Sequence, residues 1–123
     1  MPPLVSVVLP VYKPHPRYLR EAVQSVLSQT FADLELIIVE DPSPSSGEAI
    51  LTGITDPRLR HILNPRRTSL PEQHNRGLSA ATGTFICRFD ADDICEPERV
   101  EREVAFLQAD PDVAVVSSFL RVI

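Results

Sequence analysis

Two short, nearly continuous apolar runs, Leu4–Leu9 and Leu34–Val39, flank a segment whose apolar residues recur at helical spacing. A strand at a half-exposed surface alternates polar and apolar residues, whereas a run that is apolar almost throughout needs cover on both faces. Between the runs, Leu19, Ala22, Val23, Val26 and Leu27 share one face of a helix beginning near Pro16, a residue tolerated in a first helical turn. Strand, helix and strand in that order make a βαβ unit, and its strands lie parallel in a buried sheet.

The alternation continues along the chain. Pro10 is expected to stop the first strand, and Glu40-Asp41-Pro42 the second. Ser43–Ile54 is rich in Pro and Ser, then weakly helical, and Leu59–Leu63 reads as a short strand at an edge. A helix is expected over Leu70–Thr82, weakened by Gly77 and ended by Gly83. Thr84–Phe89 reads as a fourth strand running into Asp90-Ala91-Asp92-Asp93. A helix over Glu96–Ala109, with Pro97 near its start, and a fifth strand over Val113–Ser118 complete the pattern. The expected architecture is one α/β domain over residues 1–123, Rossmann-like, with a mostly parallel sheet and flanking helices. The last residues, Phe119–Ile123, are still apolar, and the domain reads as truncated there.

Several classes are excluded. No apolar run approaches the roughly 20 residues of a membrane span, and Met1-Pro2-Pro3 opens no signal peptide. A net charge of -5 argues against nucleic acid as a partner. Cys87 and Cys95 have neither the spacing nor the neighbours of a zinc site, and they read as free thiols in a reducing, cytoplasmic compartment.

In open α/β sheets ligands bind beyond the carboxyl ends of the strands. Those ends carry Pro10-Val11-Tyr12, Glu40-Asp41 and Asp90-Ala91-Asp92-Asp93, so five carboxylates gather at one rim. Asp90 and Asp92, two residues apart after a strand, suit a hard divalent ion such as Mg²⁺ or Mn²⁺. Asp93 reads as the cap of the helix that follows. Glu40-Asp41 reads either as a turn before Pro42 or as an acceptor for a ligand's N–H or hydroxyl groups. Neither Gly-x-Gly-x-x-Gly nor a P-loop is present, so phosphates would be held by metal and side chains.

Five motifs in order carry a resemblance: Ser6–Tyr12, Ser25–Thr30, Leu36–Asp41, His74–Leu78 and Asp90–Asp93. Together they resemble the nucleotide-binding half of a family 2 glycosyltransferase with the GT-A fold, over nearly the whole chain. The resemblance implies that Pro10, Val11 and Tyr12 line a base pocket and that Asp41 contacts the base. It implies that Asp92 ligates a metal bridging the donor diphosphate, with Asp90 beside it and reaching the ribose or sugar. His74, where many members carry Arg, would sit on the phosphate side, with Arg76 or Arg67 as other sources of positive charge. Pro42 stands where the family commonly has Gly, fixing φ in that loop.

The implied activity is metal-dependent, inverting transfer from a nucleotide-diphosphate sugar to a saccharide or lipid-linked acceptor, as in cell-surface polysaccharide synthesis. The acceptor half and catalytic base are expected outside these residues, with membrane association of the full-length protein left open. The alternative is a nucleotide-binding module without turnover. A Mg²⁺-dependent hydrolase would need an Asp after the first strand, and a receiver domain a late-strand Lys, whereas the only lysine is Lys13. If the fifth strand lacks its cover, Val115, Val116, Phe119 and Leu120 favour self-association.

Overall fold

A computed structural model describes all 123 residues. Its order is β1 (Val5–Val11), α1 (Pro16–Leu27), β2 (Leu34–Glu40), α2 (Gly47–Ile50), β3 (Leu59–Leu63), α3 (Leu70–Ala80), β4 (Phe85–Arg88) and α4 (Arg99–Ala109). The four strands form one parallel sheet in the order β3-β2-β1-β4. The Rossmann-like α/β expectation holds, and β3 lies at an edge as its weak apolar pattern implied.

Every residue of β1 and β2 is buried, because both faces of the sheet's centre are covered. On one face, Val5, Val7, Leu9 and Val11 join Leu34, Leu36 and Ile38 in a core with Leu19, Ala22, Val23 and Val26 of α1 and Val100 and Val104 of α4. The other face meets α3, whose buried residues are only Gln73 and Gly77. A Cβ at Gly77 would stand 2.4 Å from Val8 Cγ1. Gly77 therefore marks the point where the helix comes down onto the sheet, at a cost in intrinsic helix propensity. One turn earlier the Gln73 side-chain amide donates to the carbonyls of Val11 (2.8 Å) and Val39 (3.1 Å), joining α3 to both central strands.

Pro10 does not stop β1, which runs on to Val11. In a parallel ladder alternate residues of a strand bond to opposite neighbours. Val5 N–H and Val11 C=O bond towards β2, while Leu4 C=O and Val8 C=O accept from Phe85 and Phe89 of the β4 segment. Pro10 belongs to the second set and has no N–H to give, so it ends only the β1–β4 ladder.

Three further expectations are corrected. Gly83 does not end α3: the helix stops at Ala80, with Ala81 extended, and a Cβ at Gly83 would lie 2.7 Å from Ser6 N. Asp93 does not cap α4, which begins at Arg99 without a side-chain cap from Glu98. Instead Gln29, beyond α1, accepts from Val100 N–H at 3.1 Å. Val113–Ser118 is not a strand and has no ladder partner, and Val115, Phe119 and Leu120 are exposed. No helix is long and apolar enough to cross a membrane.

At the sheet's amino end, Glu35 is buried within β2. It accepts from Ser6 Oγ (3.2 Å), from Arg60 Nη1 (2.6 Å) and from the Thr82 backbone N–H (3.3 Å) and hydroxyl. Burial pushes its carboxyl up, but the hydrogen bonds from Thr82 and Arg60 win and hold it below the ordinary value. A lowered folded-state value means that stability from Glu35 is present above the ordinary pKa of 4.5 and is lost as pH falls through the folded one. Glu35→Gln should therefore flatten the acid side of a stability-against-pH curve measured by urea unfolding; an unchanged acid limb would contradict this. Gly77→Ala should destabilise the domain by about 1–3 kcal/mol through the forced contact. Val8→Ala in the same chain should recover part of that loss, read from the urea midpoints of the two single variants and the double.

Candidate functional site

The crevice follows from the strand order. β1 connects onward to β2 and β3 on one side, while β4 lies on its other side, so the topological switch point falls between β1 and β4. There Pro10 has ended the β1–β4 ladder, and the chain leaves the sheet after Phe89 into Asp90-Ala91-Asp92-Asp93. Both ends of this loop are fastened. Phe89 is in the core, and beyond the acids the Cys95 N–H donates to Ser25 Oγ at 2.9 Å. Gln29 Nε2 donates to the carbonyls of Cys95 (3.3 Å) and Glu96 (2.7 Å). The polar residues at the end of α1 thus serve to anchor the acidic loop.

Asp90, Asp92 and Asp93 are all exposed, and none of their carboxylates has a side-chain hydrogen bond or salt bridge inside the protein. Burial, then repulsion from Asp90 and Asp92, push the Asp93 carboxyl up, with Arg99 offsetting part. No third His, Cys, Asp or Glu completes a metal cage. Two carboxylates without an ion-pair partner, beside a third, fit a hard divalent cation whose remaining ligands are phosphate and water oxygens.

His74 faces this loop from α3. Burial, then the Arg88 guanidinium, push its pKa down from 6.5, with Asp90 opposing. Burial and Arg88 both disfavour the charged form of the ring. Positive charge nearby comes from Arg88, which ends β4, whereas Arg76 of α3 lies with Asn64, Arg66 and Thr68 instead.

The residues expected to form the base pocket lie at the ends of β1 and β2. Pro10 and Val11 are buried, and the Val11 carbonyl is taken by Asp41 N–H (3.0 Å) and Gln73. Only Tyr12 shows surface, and the Arg67 guanidinium lies 3.4 Å from its ring centroid. Asp41 is 0% exposed in this structure. Its Oδ1 accepts from Asn64 Nδ2 (2.7 Å), and its Oδ2 accepts from Thr68 N–H (2.7 Å). The Thr68 hydroxyl lies within 2.9 Å of both oxygens. Burial raises the Asp41 pKa, but these hydrogen bonds and Arg67 bring it below the ordinary value. Glu40 is likewise occupied, accepting from Gly47 N–H at 2.8 Å and pairing with His61 Nε2 at 2.8 Å. These two acids hold loops, whereas Asp90 and Asp92 are left unpaired.

Sequence reasoning missed Asn64, Thr68 and Gln73. An Asn before Pro reads as an ordinary turn, and a Gln within a polar helix gives no sign of facing a sheet.

Comparison with known proteins agrees with this geometry. Residues 6–123 match Glycosyl transferase family 2. An uncharacterised glycosyltransferase of Methanocaldococcus jannaschii is 33% identical over 121 residues, covering 96% of this chain and 42% of that protein. Glycosyltransferase GlyG of Streptococcus pneumoniae is 32% identical over 118 residues, covering 94% and 39%. The chain thus spans about two fifths of these relatives. Mannosyltransferase PcManGT from Pyrobaculum calidifontis, solved with GDP-Man and Mn²⁺, has a TM-score of 0.86 at 25% identity, over 98% of this chain and 36% of that one. S. aureus TarS 1-349 with UDP-GlcNAc has a TM-score of 0.77 at 25% identity, over 85% and 31%. The family match begins at the second residue of β1 and runs to Ile123 on the same GT-A fold, and the chain therefore belongs to glycosyl transferase family 2 as a part of its domain.

Proposed function

We propose that the protein transfers a sugar from a nucleotide-diphosphate sugar to an acceptor hydroxyl, and that these residues are its donor-binding part. One observation carries the reading: Asp90 and Asp92 stand exposed and unpaired where β4 parts from β1, in a family 2 fold. The neighbours solved with GDP-Man and UDP-GlcNAc support it.

In this reading Asp92, with Asp90 beside it, holds Mg²⁺ or Mn²⁺ against the donor diphosphate. Such a cation, when bound, offsets the negative charge on the departing diphosphate. Asp90 also reaches the ribose or sugar, and His74 donates a hydrogen bond on the phosphate side. Tyr12, backed by buried Pro10 and Val11, offers the stacking face for the base once Arg67 moves aside. Transfer is inverting: the acceptor hydroxyl attacks the anomeric carbon opposite the diphosphate while a carboxylate takes its proton. No residue of this chain is assigned as that base. The acceptor is a saccharide or a lipid-linked saccharide, as in cell-surface polysaccharide synthesis.

Asp92→Asn removes a charged ligand and should weaken metal-dependent binding of a nucleoside diphosphate by roughly tenfold or more. Calorimetric titration with Mn²⁺ and with EDTA reads the effect directly. Equal, metal-independent binding by wild type and variant would remove Asp92 from the metal site.

A further inference from the structure

Alternate side chains of a strand turn to the same face of a sheet. On β4, Cys87 stands opposite Val7 and two residues before Phe89, on the face covered by α1 and α4. Cys95, beyond the acidic loop, belongs to the same apolar core, and Cys87 packs against that core. Arg99, the first residue of α4, marks where the two meet. Its guanidinium lies 5.7 Å from the Phe89 ring centroid, is held by Glu103 at 3.0 Å and stands beside both thiols. Cys87 is also close enough to act on the charge of Cys95. Both residues are free thiols, Cys95 buried and Cys87 less so. Cys87 comes three residues before Asp90 and Cys95 three after Asp92, so the pair brackets the acidic loop.

We infer that Cys87 and Cys95 form a redox modification site, at which a disulfide ties together the two ends of the loop carrying Asp90 and Asp92. The oxidant is a small-molecule disulfide of the glutathione disulfide class. Cys87 gives up its proton and its sulfur attacks the external disulfide, forming a mixed disulfide and releasing one thiolate, which takes up a proton. The Cys95 sulfur, losing its own proton, attacks the Cys87 sulfur and expels the second external thiol. Two cysteine thiols are thus oxidised to one disulfide, and one external disulfide is reduced to two thiols. Burial pushes both cysteines up, Cys95 to about 11, with Arg99 offsetting part of the rise. The exchange is therefore slow at neutral pH and quickens as the pH rises.

The consequence for the donor rests on the donor-binding reading above. In the reduced protein no ladder bond lies beyond Phe89, and Asp90 and Asp92 share no partner, so the loop adjusts as both carboxylates converge on one cation. Cys87 is fixed by its ladder with β1, and Cys95 by its N–H to Ser25 Oγ and its carbonyl to Gln29 Nε2. A covalent bond between these two anchored points removes the adjustment. Oxidation weakens metal-dependent donor binding, and reduction restores it.

The test is incubation of the protein with glutathione disulfide at mildly alkaline pH, followed by intact mass and a non-reducing peptide map. UDP and GDP are then titrated with Mn²⁺ before oxidation, after it and after dithiothreitol. Wild type should lose the mass of two hydrogens and yield one peptide pair joined through Cys87 and Cys95. Its affinity for the nucleotide it binds should fall about fivefold or more and recover with dithiothreitol. Cys87→Ala and Cys87→Ser should bind as reduced wild type does and ignore the oxidant. Two free thiols after prolonged incubation, or a glutathione adduct that never resolves, overturns the site. A disulfide that forms while Mn²⁺-dependent binding stays unchanged overturns its hold on the loop. Reduced wild type that binds neither nucleotide overturns the donor-binding reading and that hold with it, while the mass still decides the bond.

Discussion

Everything in this fold is referred to β1. Its odd-numbered residues bond to β2 and its even-numbered residues to β4, and side chains on both faces are buried. A slip of one residue would exchange Val7 and Leu9 in the α1 face with Ser6 and Pro10, so the register is strongly specified. Each fully buried aliphatic side chain contributes roughly 1.5–3 kcal/mol, and β1 and β2 supply most of them. The remaining elements are placed by how they reach this pair: α1 and α4 through the apolar face, and α3 through Gly77 and the Gln73 amide.

The carboxylates divide into two kinds by what surrounds them. Glu35, Glu40 and Asp41 are buried in β2 or at its end, and each accepts several hydrogen bonds from another segment. They connect β2 to the Thr82 region, to α2 and to loop 64–68. In this structure their hydrogen bonds are all made within the fold. Asp90 and Asp92 lie where the ladder has ended and the backbone turns out, and no side chain of this chain neutralises them. The same residue type thus builds the scaffold at one strand end and remains free for a ligand at another.

How much the sequence disclosed follows that division. The two apolar runs and the helical stripe of α1 were legible because burial on both faces leaves little room for other residues. The edge position of β3 and the acidic loop after β4 could also be read. The errors concern groups whose role depends on a distant partner. Gly83 looked like a helix terminator, yet it answers the close approach of Ser6. Asp93 looked like a cap, yet the cap of α4 is Gln29, far earlier in the chain. Val113–Ser118 has strand composition, but β4 offers it no ladder. Asp41 was identified by its position after β2, but its environment depends on Asn64 and Thr68, which come from the loop after β3.

The missing N–H of Pro10 also grades the molecule's local stability. Along β2, backbone bonds to β1 continue to Asp41, so separating those strands there requires the centre of the sheet to open. Along β4 the last such bond is made by Phe89, and no rung of that ladder lies beyond it. The acidic loop can therefore rearrange without breaking any strand-to-strand bond, as a local opening well below the free energy of global unfolding. A single imino acid in the central strand thus sets where the domain breathes, and this is the place where the carboxylates wait.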